Sequence, residues 1–110
     1  MASKMMQEPT LLLLTALADE PRHGYALIKE VDTISSGRVR LRTGTLYAAL
    51  ARLQQQGWVQ VTGEEVVDGR HRRYYALTKD GVDALVGETA RLRATVQEAN
   101  RRLRLRGVTA

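Results

Sequence analysis

The chain has 110 residues, 44% hydrophobic and 26% charged, with a formal net charge of +5. That is enough for one small domain with a marginal core, which a partner subunit would reinforce. Without cysteine, disulfides, thiolate metal sites and cysteine nucleophiles are excluded and a reducing cytoplasm is the expected compartment; the longest apolar run, residues 11–18, is far short of a span of roughly 18 or more, so no membrane partner is expected.

The first ten residues carry no apolar signal core, and no secretion signal is expected. Residues 11–18 ("LLLLTALA") predict a buried helix, with Pro9 near its start, where proline is tolerated. Residues 19–24 ("DEPRHG") break it at Pro21 and Gly24. Residues 25–34 resume a helical period, with Leu27, Ile28, Val31 and Ile34 on one face. Residues 35–38 form a turn, and residues 39–41 alternate like a short extended segment. In residues 43–58 ("TGTLYAALARLQQQGW"), Leu46, Ala49, Leu50 and Leu53 make one buried helical stripe. Thr43 or Thr45 is placed to cap this helix and Gly57 to end it. Residues 58–62 and 72–78 alternate like strands, and Asp68-Gly69 between them is a hairpin-turn dipeptide.

Thr78 then caps a helix expected to run to about residue 106. Its Val82, Leu85, Thr89, Leu92, Val96, Ala99 and Leu103 recur at alternating steps of three and four, a heptad seam. So small a domain cannot bury that seam. A second copy related by a two-fold axis is the expected partner, in preference to packing onto the first helix. The predicted fold is mainly α with a small β-hairpin: a winged helix-turn-helix over residues 1–78, then a dimerisation helix over residues 79–110.

Charge is unevenly placed. No acidic residue lies between Asp32 and Glu64, while Arg38, Arg40, Arg42 and Arg52 do, and Arg70, Arg72 and Arg73 surround His71. Such a block suits a polyanion, a solvated basic face being the alternative. On a helical wheel Gly44, Ala48, Ala51 and Gln55 face out, flanked by Thr45, Tyr47 and Arg52. That small, nearly neutral surface suits close approach to a major groove, where glutamine, arginine and methyl groups read base edges. The phosphates then fall to the cations on either side. The expected contacts to double-stranded DNA are Arg38, Arg40, Arg42, Thr43, Gly44, Thr45, Tyr47, Ala48, Arg52, Arg70, His71, Arg72 and Arg73.

Three segments, "HGYALIKEV" (residues 23–31), "GTLYAALARLQQQGW" (44–58) and "DGRHRRYYALTKDG" (68–81), resemble the PadR family of transcriptional regulators in order and spacing, over most of the chain. The resemblance implies a winged helix-turn-helix homodimer, usually a repressor, on a palindromic promoter site. The single C-terminal helix resembles the short subfamily, in which the first helix packs on the partner's last. That likeness adds Leu11, Leu12 and Val86 to the seam as dimer contacts. Some members of that subfamily take flat aromatic or drug-like effectors between the dimer helices. A small-molecule effector here is expected around Thr89, Leu92 and Val96, beside a gap in the seam, where it would change the tilt of the two subunits. The family often has proline after the tyrosine of the central motif, where this chain has Ala48, and the long helix here has no aromatic residue.

Catalysis is not expected. His23 and His71 have no converging ligands, and there is no nucleophile elbow or phosphate-binding glycine loop, so no catalytic residue, metal or cofactor is assigned. His23 is read as satisfying backbone groups, Trp58 as core, and one of Tyr74 and Tyr75 as buried. The arginines of residues 101–106 are read as a solvated helix end. The competing class is a coiled-coil module whose basic face binds an acidic protein.

Overall fold

The computed structural model describes residues 5–109; residues 1–4 and 110, the outer ends of the two expected segments, lie outside the described residues. Helix α1 (Glu8–Ala16) starts earlier than the apolar run, with Pro9 in its first turn and Glu8 beside the positive end of its dipole. Thr10, Leu12, Leu13, Leu14 and Ala16 are all buried. A helix apolar on every side has to be surrounded, and α1 is the centre of the core. It stops at Ala16, short of the expected Ala18, where the Arg22 Nε donates to the Ala16 carbonyl at 2.7 Å.

Strand β1 (Arg22–His23) follows, then helix α2 (Gly24–Ile34). His23 is the N-cap of α2, and its Nδ1 accepts the Ala26 amide at 3.3 Å. The expected extended segment 39–41 joins no sheet among the described residues. Instead the chain there is tied to the end of α2. Ser35, 1% exposed, accepts the Val39 amide on its Oγ at 3.0 Å. Ser36 and Gly37 take φ of 54° and 80°, which turns the chain sharply enough for the Gly37 amide to reach the Asp32 carbonyl at 2.8 Å.

Helix α3 (Thr43–Gln55) buries the predicted stripe of Leu46, Ala49, Leu50 and Leu53. Its N-cap is Arg42, with no side-chain cap. Thr43 and Thr45 therefore lie inside the first turn and neither caps it, contrary to expectation. The predicted glycine stop is present: Gly57 has φ 80°, its amide donates to the Gln54 carbonyl, and the Trp58 amide donates to Leu53. That pair of bonds is a Schellman motif.

Strands β2 (Val59–Val67) and β3 (Arg70–Leu77) extend further than predicted, leaving only Asp68 and Gly69 as the turn. Both have positive φ, 51° and 75°, as a type I′ hairpin demands. The sheet order is β1-β3-β2, all antiparallel, with a register shift between Val61 and Gly63.

Helix α4 (Lys79–Leu105) has 27 residues, about 40 Å at 1.5 Å each, in a molecule 59 Å long. Thr78 caps it by accepting the Gly81 amide at 3.0 Å. Its first turn is joined tightly to the end of α3. The Thr78 amide donates to the Trp58 carbonyl at 3.0 Å, and a β-carbon on Gly81 would stand 2.0 Å from that same oxygen. Leu85 packs on the protomer's own core, whereas Val82, Val86, Val96 and Leu103 are exposed. No helix among the described residues is long and apolar enough to cross a membrane.

Candidate nucleic-acid interface

The outward face assigned to α3 is at the surface. Thr43, Gly44, Thr45, Tyr47, Ala48, Ala51, Arg52 and Gln55 are all exposed. A β-carbon built on Gly44 meets nothing within 4 Å, so the fold itself does not require glycine there. Arg38, Arg40 and Arg42 lead into the helix from the turn and are exposed as well.

The basic block is less free than its sequence suggests, because folding brings carboxylates to it from elsewhere. Glu8 lies 2.5 Å from Arg38, Asp32 3.7 Å from Arg40, and Glu64 3.2 Å from Arg73 and 4.0 Å from His71. Exposed pairs of this kind contribute about 0–1 kcal/mol, so a phosphate can displace them. Among the described residues Arg42, Arg52, Arg70 and Arg72 pair with no carboxylate.

The hairpin divides its cations between two faces. Its register sets Glu64 opposite Arg73 and Glu65 opposite Arg72. Directly opposed residues share a face and side chains alternate along a strand. His71 and Arg73 therefore share the face of Glu64, while Arg70 and Arg72 share that of Glu65. The Glu65 carboxylate is occupied by Tyr74, whose Oη donates to it at 2.6 Å. The sequence shows one cluster; the sheet separates it into a bridged pair and an unbridged pair.

Two concavities flank α3. A cleft of about 330 Å³ lies between Tyr47, the start of α2 and the base of the hairpin, lined also by His23 and Arg70 to Arg73. Partial burial, reinforced by the charge of Arg72 and opposed by Glu65, holds the His23 imidazole below its ordinary pKa of 6.5. Its ring stands edge-on to Tyr74 at 5.5 Å. On the other side, a groove of about 800 Å³ runs between α3 and the segment leading into α1. Gly44, Thr45, Ala48 and Arg52 form its α3 wall; Met5, Met6, Pro9 and Thr10 face them. Arg52 Nη2 lies 3.4 Å from Thr10 Oγ1.

Of the residues expected at a dimer contact, Leu12 is already in the protomer's core at 7% exposure and Leu11 is half-buried. Thr89, Val96 and Ala99 are exposed and Leu92 is half-buried. Thr89, Leu92 and Val96, expected to hold an effector, line neither concavity described above. Among the described residues no group of three or more metal-ligating side chains converges.

Three residues that organise this surface carried no sequence signal. Arg22 joins α1 to the hairpin side and is bracketed by Asp19, Glu20 and Glu30. Ser35 fixes the approach to α3. Glu88, 8% exposed, takes a two-pronged bond from Arg91, at 3.1 Å and 2.5 Å. That hydrogen bond holds the Glu88 carboxyl below the usual carboxylate range, and the Met6 amide adds to the effect. Apart from the Met6 amide their partners lie within eight residues, but each role depends on burial, which local spacing does not show.

Residues 13–86 match the model of the transcriptional regulator PadR-like family. A transcriptional regulator of Mycobacterium tuberculosis is 38% identical over 88 residues, 80% of this chain and 78% of that one. A PadR family transcription regulator of Clostridium difficile superposes with a TM-score of 0.72 at 24% identity, over 88% of this chain and 99% of that one. Bacillus subtilis PadR, solved in complex with operator DNA, gives a TM-score of 0.65 at 16% identity, over 74% of this chain and 46% of its own. At these identities the two superpositions establish a shared winged-helix fold.

Proposed function

From the premise that this chain belongs to the PadR-like family of transcriptional regulators, a family of regulators and not of enzymes, we propose that it is a sequence-specific repressor. It acts in the cytoplasm as a homodimer on a pseudo-palindromic operator, with half-sites about one helical turn, roughly 10 bp, apart. Residues 1–78 bind DNA and residues 79–110 hold the two copies together. Gly44, Thr45, Ala48 and Arg52 read base edges. Arg42 and the wing pair Arg70 and Arg72 take phosphates, joined by Arg38, Arg40, His71 and Arg73 once their surface bridges exchange. Thr43 and Tyr47 meet the adjoining backbone. An effector seated near Thr89, Leu92 and Val96 would change the tilt between subunits and with it the spacing of the two α3 helices.

The observation that carries this reading is the small, nearly neutral, exposed face of α3 set between Arg42 on one side and Arg70 and Arg72 on the other, which pair with no carboxylate among the described residues. Selection of bound DNA from a random pool at near-physiological salt is the test. Enrichment of a two-fold-symmetric site is expected. A pool that stays random with a folded dimer would sink the reading and favour a basic module that docks on an acidic protein.

A further inference from the structure

Resting on that reading of α3, we propose that the groove between α3 and residues 5–10 binds a small amphipathic carboxylate of the medium-chain fatty acid type, and that its occupation excludes operator DNA. At about 800 Å³ the groove falls within the range, roughly 300–1,000 Å³, of sites that hold small ligands. Its lining divides by chemistry. Met5, Met6, Leu41 and Trp58 give an apolar surface, and methionines adapt to the shape they meet. Arg52 brings the charge. Arg52 is exposed as a residue and, among the described residues, makes one side-chain hydrogen bond, the 3.4 Å contact to Thr10, and pairs with no carboxylate. A guanidinium with unused donors at the rim of an apolar groove matches a planar, two-oxygen anion.

The shape selects the rest of the ligand. The α3 wall runs from Arg52 back to Gly44, eight residues or about 12 Å, past small side chains at Ala48 and Thr45. That is a trough suited to an extended acyl chain of decanoate length. With its carboxylate on Arg52, the chain passes over Ala48 and Thr45 toward Leu41. These α3 residues are the ones assigned to base edges. An acyl chain lying on them fills the space a DNA groove would take, and its carboxylate takes the charge of Arg52. Control is then by direct occlusion, independent of any change in subunit tilt.

Trp58 is the sole tryptophan and lines the groove, so its emission reports occupancy with no DNA present. Full-length protein titrated with decanoate, kept below micelle formation, should show a saturable change in Trp58 emission. Decan-1-ol, with the same chain and no charge, should bind at least tenfold more weakly. Arg52→Gln should weaken decanoate binding by a similar factor, with its fold checked by circular dichroism. Should that variant fail to fold, Ala48→Met, which fills the trough from the α3 side, should block decanoate instead. In an anisotropy assay on the selected operator, decanoate should release the wild-type protein with the midpoint of the Trp58 titration. Equal binding of decanol and decanoate, or undiminished binding by the folded Arg52→Gln protein, would overturn the proposal. A Trp58 signal that follows protein dilution and ignores decanoate would overturn it too, because a second copy would then fill the groove. Decanoate binding in a protein that selects no DNA site would uphold the site and defeat the reading of α3, so the two failures are distinguishable.

Discussion

Gly44 separates the demands of folding from those of function. It sits in the first turn of α3, exposed, with open space where a β-carbon would stand. Alanine is the better helix residue by roughly 0.5–1 kcal/mol. Gly44→Ala should therefore hold or raise the melting temperature. It should also weaken operator binding by about tenfold, roughly 1.4 kcal/mol, because in the proposed interface the added methyl group would stand where a groove wall approaches. Unchanged operator affinity would remove Gly44 from the interface. His23 carries a different test. Its neutral ring caps α2, and burial holds its native pKa below the 6.5 of the free side chain. As pH falls, the unfolded chain takes up the proton first. The stability His23 gives is thus complete above about pH 6.5 and is lost as pH drops from there through the lowered native value. Thermal unfolding between pH 7.5 and 5.5 should show this loss in the wild type. His23→Asn, which keeps a capping side chain without the titration, should show less of it. Identical pH dependence in the two proteins would assign the loss elsewhere.

Among the elements, the hairpin shows what alternation does to a charge cluster. Arg72 faces away from Glu64 and has no carboxylate partner among the described residues, whereas Arg73 is bridged to Glu64 at 3.2 Å. Arg72→Ala should reduce the dependence of log affinity on log salt by about 0.9, the value for one phosphate, and Arg73→Ala should change it much less. Equal slopes for the two variants would mean that the faces are not distinguished by DNA. This division was available in the sequence only once the register was known, and the register follows from Asp68-Gly69, a local signal. The same contrast runs through the fold. The stripe of α3, its glycine stop and the Thr78 cap were legible because each depends on residues within one or two turns. Strand β1 was not, because two residues have no periodicity and their partner, Tyr74-Tyr75, lies 51 to 53 positions away. The expected caps Thr43 and Thr45 were misplaced because the helix begins at Thr43 itself, after Arg42. The carboxylates that temper the basic block were invisible for the same long-range reason, and so was the groove beside α3, whose far wall comes from the start of the chain.

At the scale of the whole molecule, α4 carries an exposed apolar row. Val82, Val86, Val96 and Leu103 are 40–60% exposed, and burying the remaining surface of each in a dimer would contribute about 1 kcal/mol. Val96→Glu should shift sedimentation equilibrium from dimer to monomer and abolish binding to the two-half-site operator, while the monomer keeps its helical circular dichroism. A variant that stays dimeric would move the contact off this row. Gly81→Ala probes the other end of the helix. The methyl group collides with the Trp58 carbonyl, and overpacking of that kind costs about 1–3 kcal/mol, read as a lower melting temperature. Normal stability would show that the joint yields freely.

That joint also has a mechanical meaning. The end of α3 and the beginning of α4 meet at one backbone carbonyl, while α4 continues for about 40 Å beyond it. A tilt of about 5° there moves the far tip of a rod that long by about 3.5 Å. In a dimer clasped along α4 the relation also runs in reverse, and a few ångströms of slippage at the tip return as a few degrees of pitch in α3. In the proposed dimer the length of α4 is therefore a gear ratio, fixing how coarse a movement at its far end would become how fine an adjustment against the double helix.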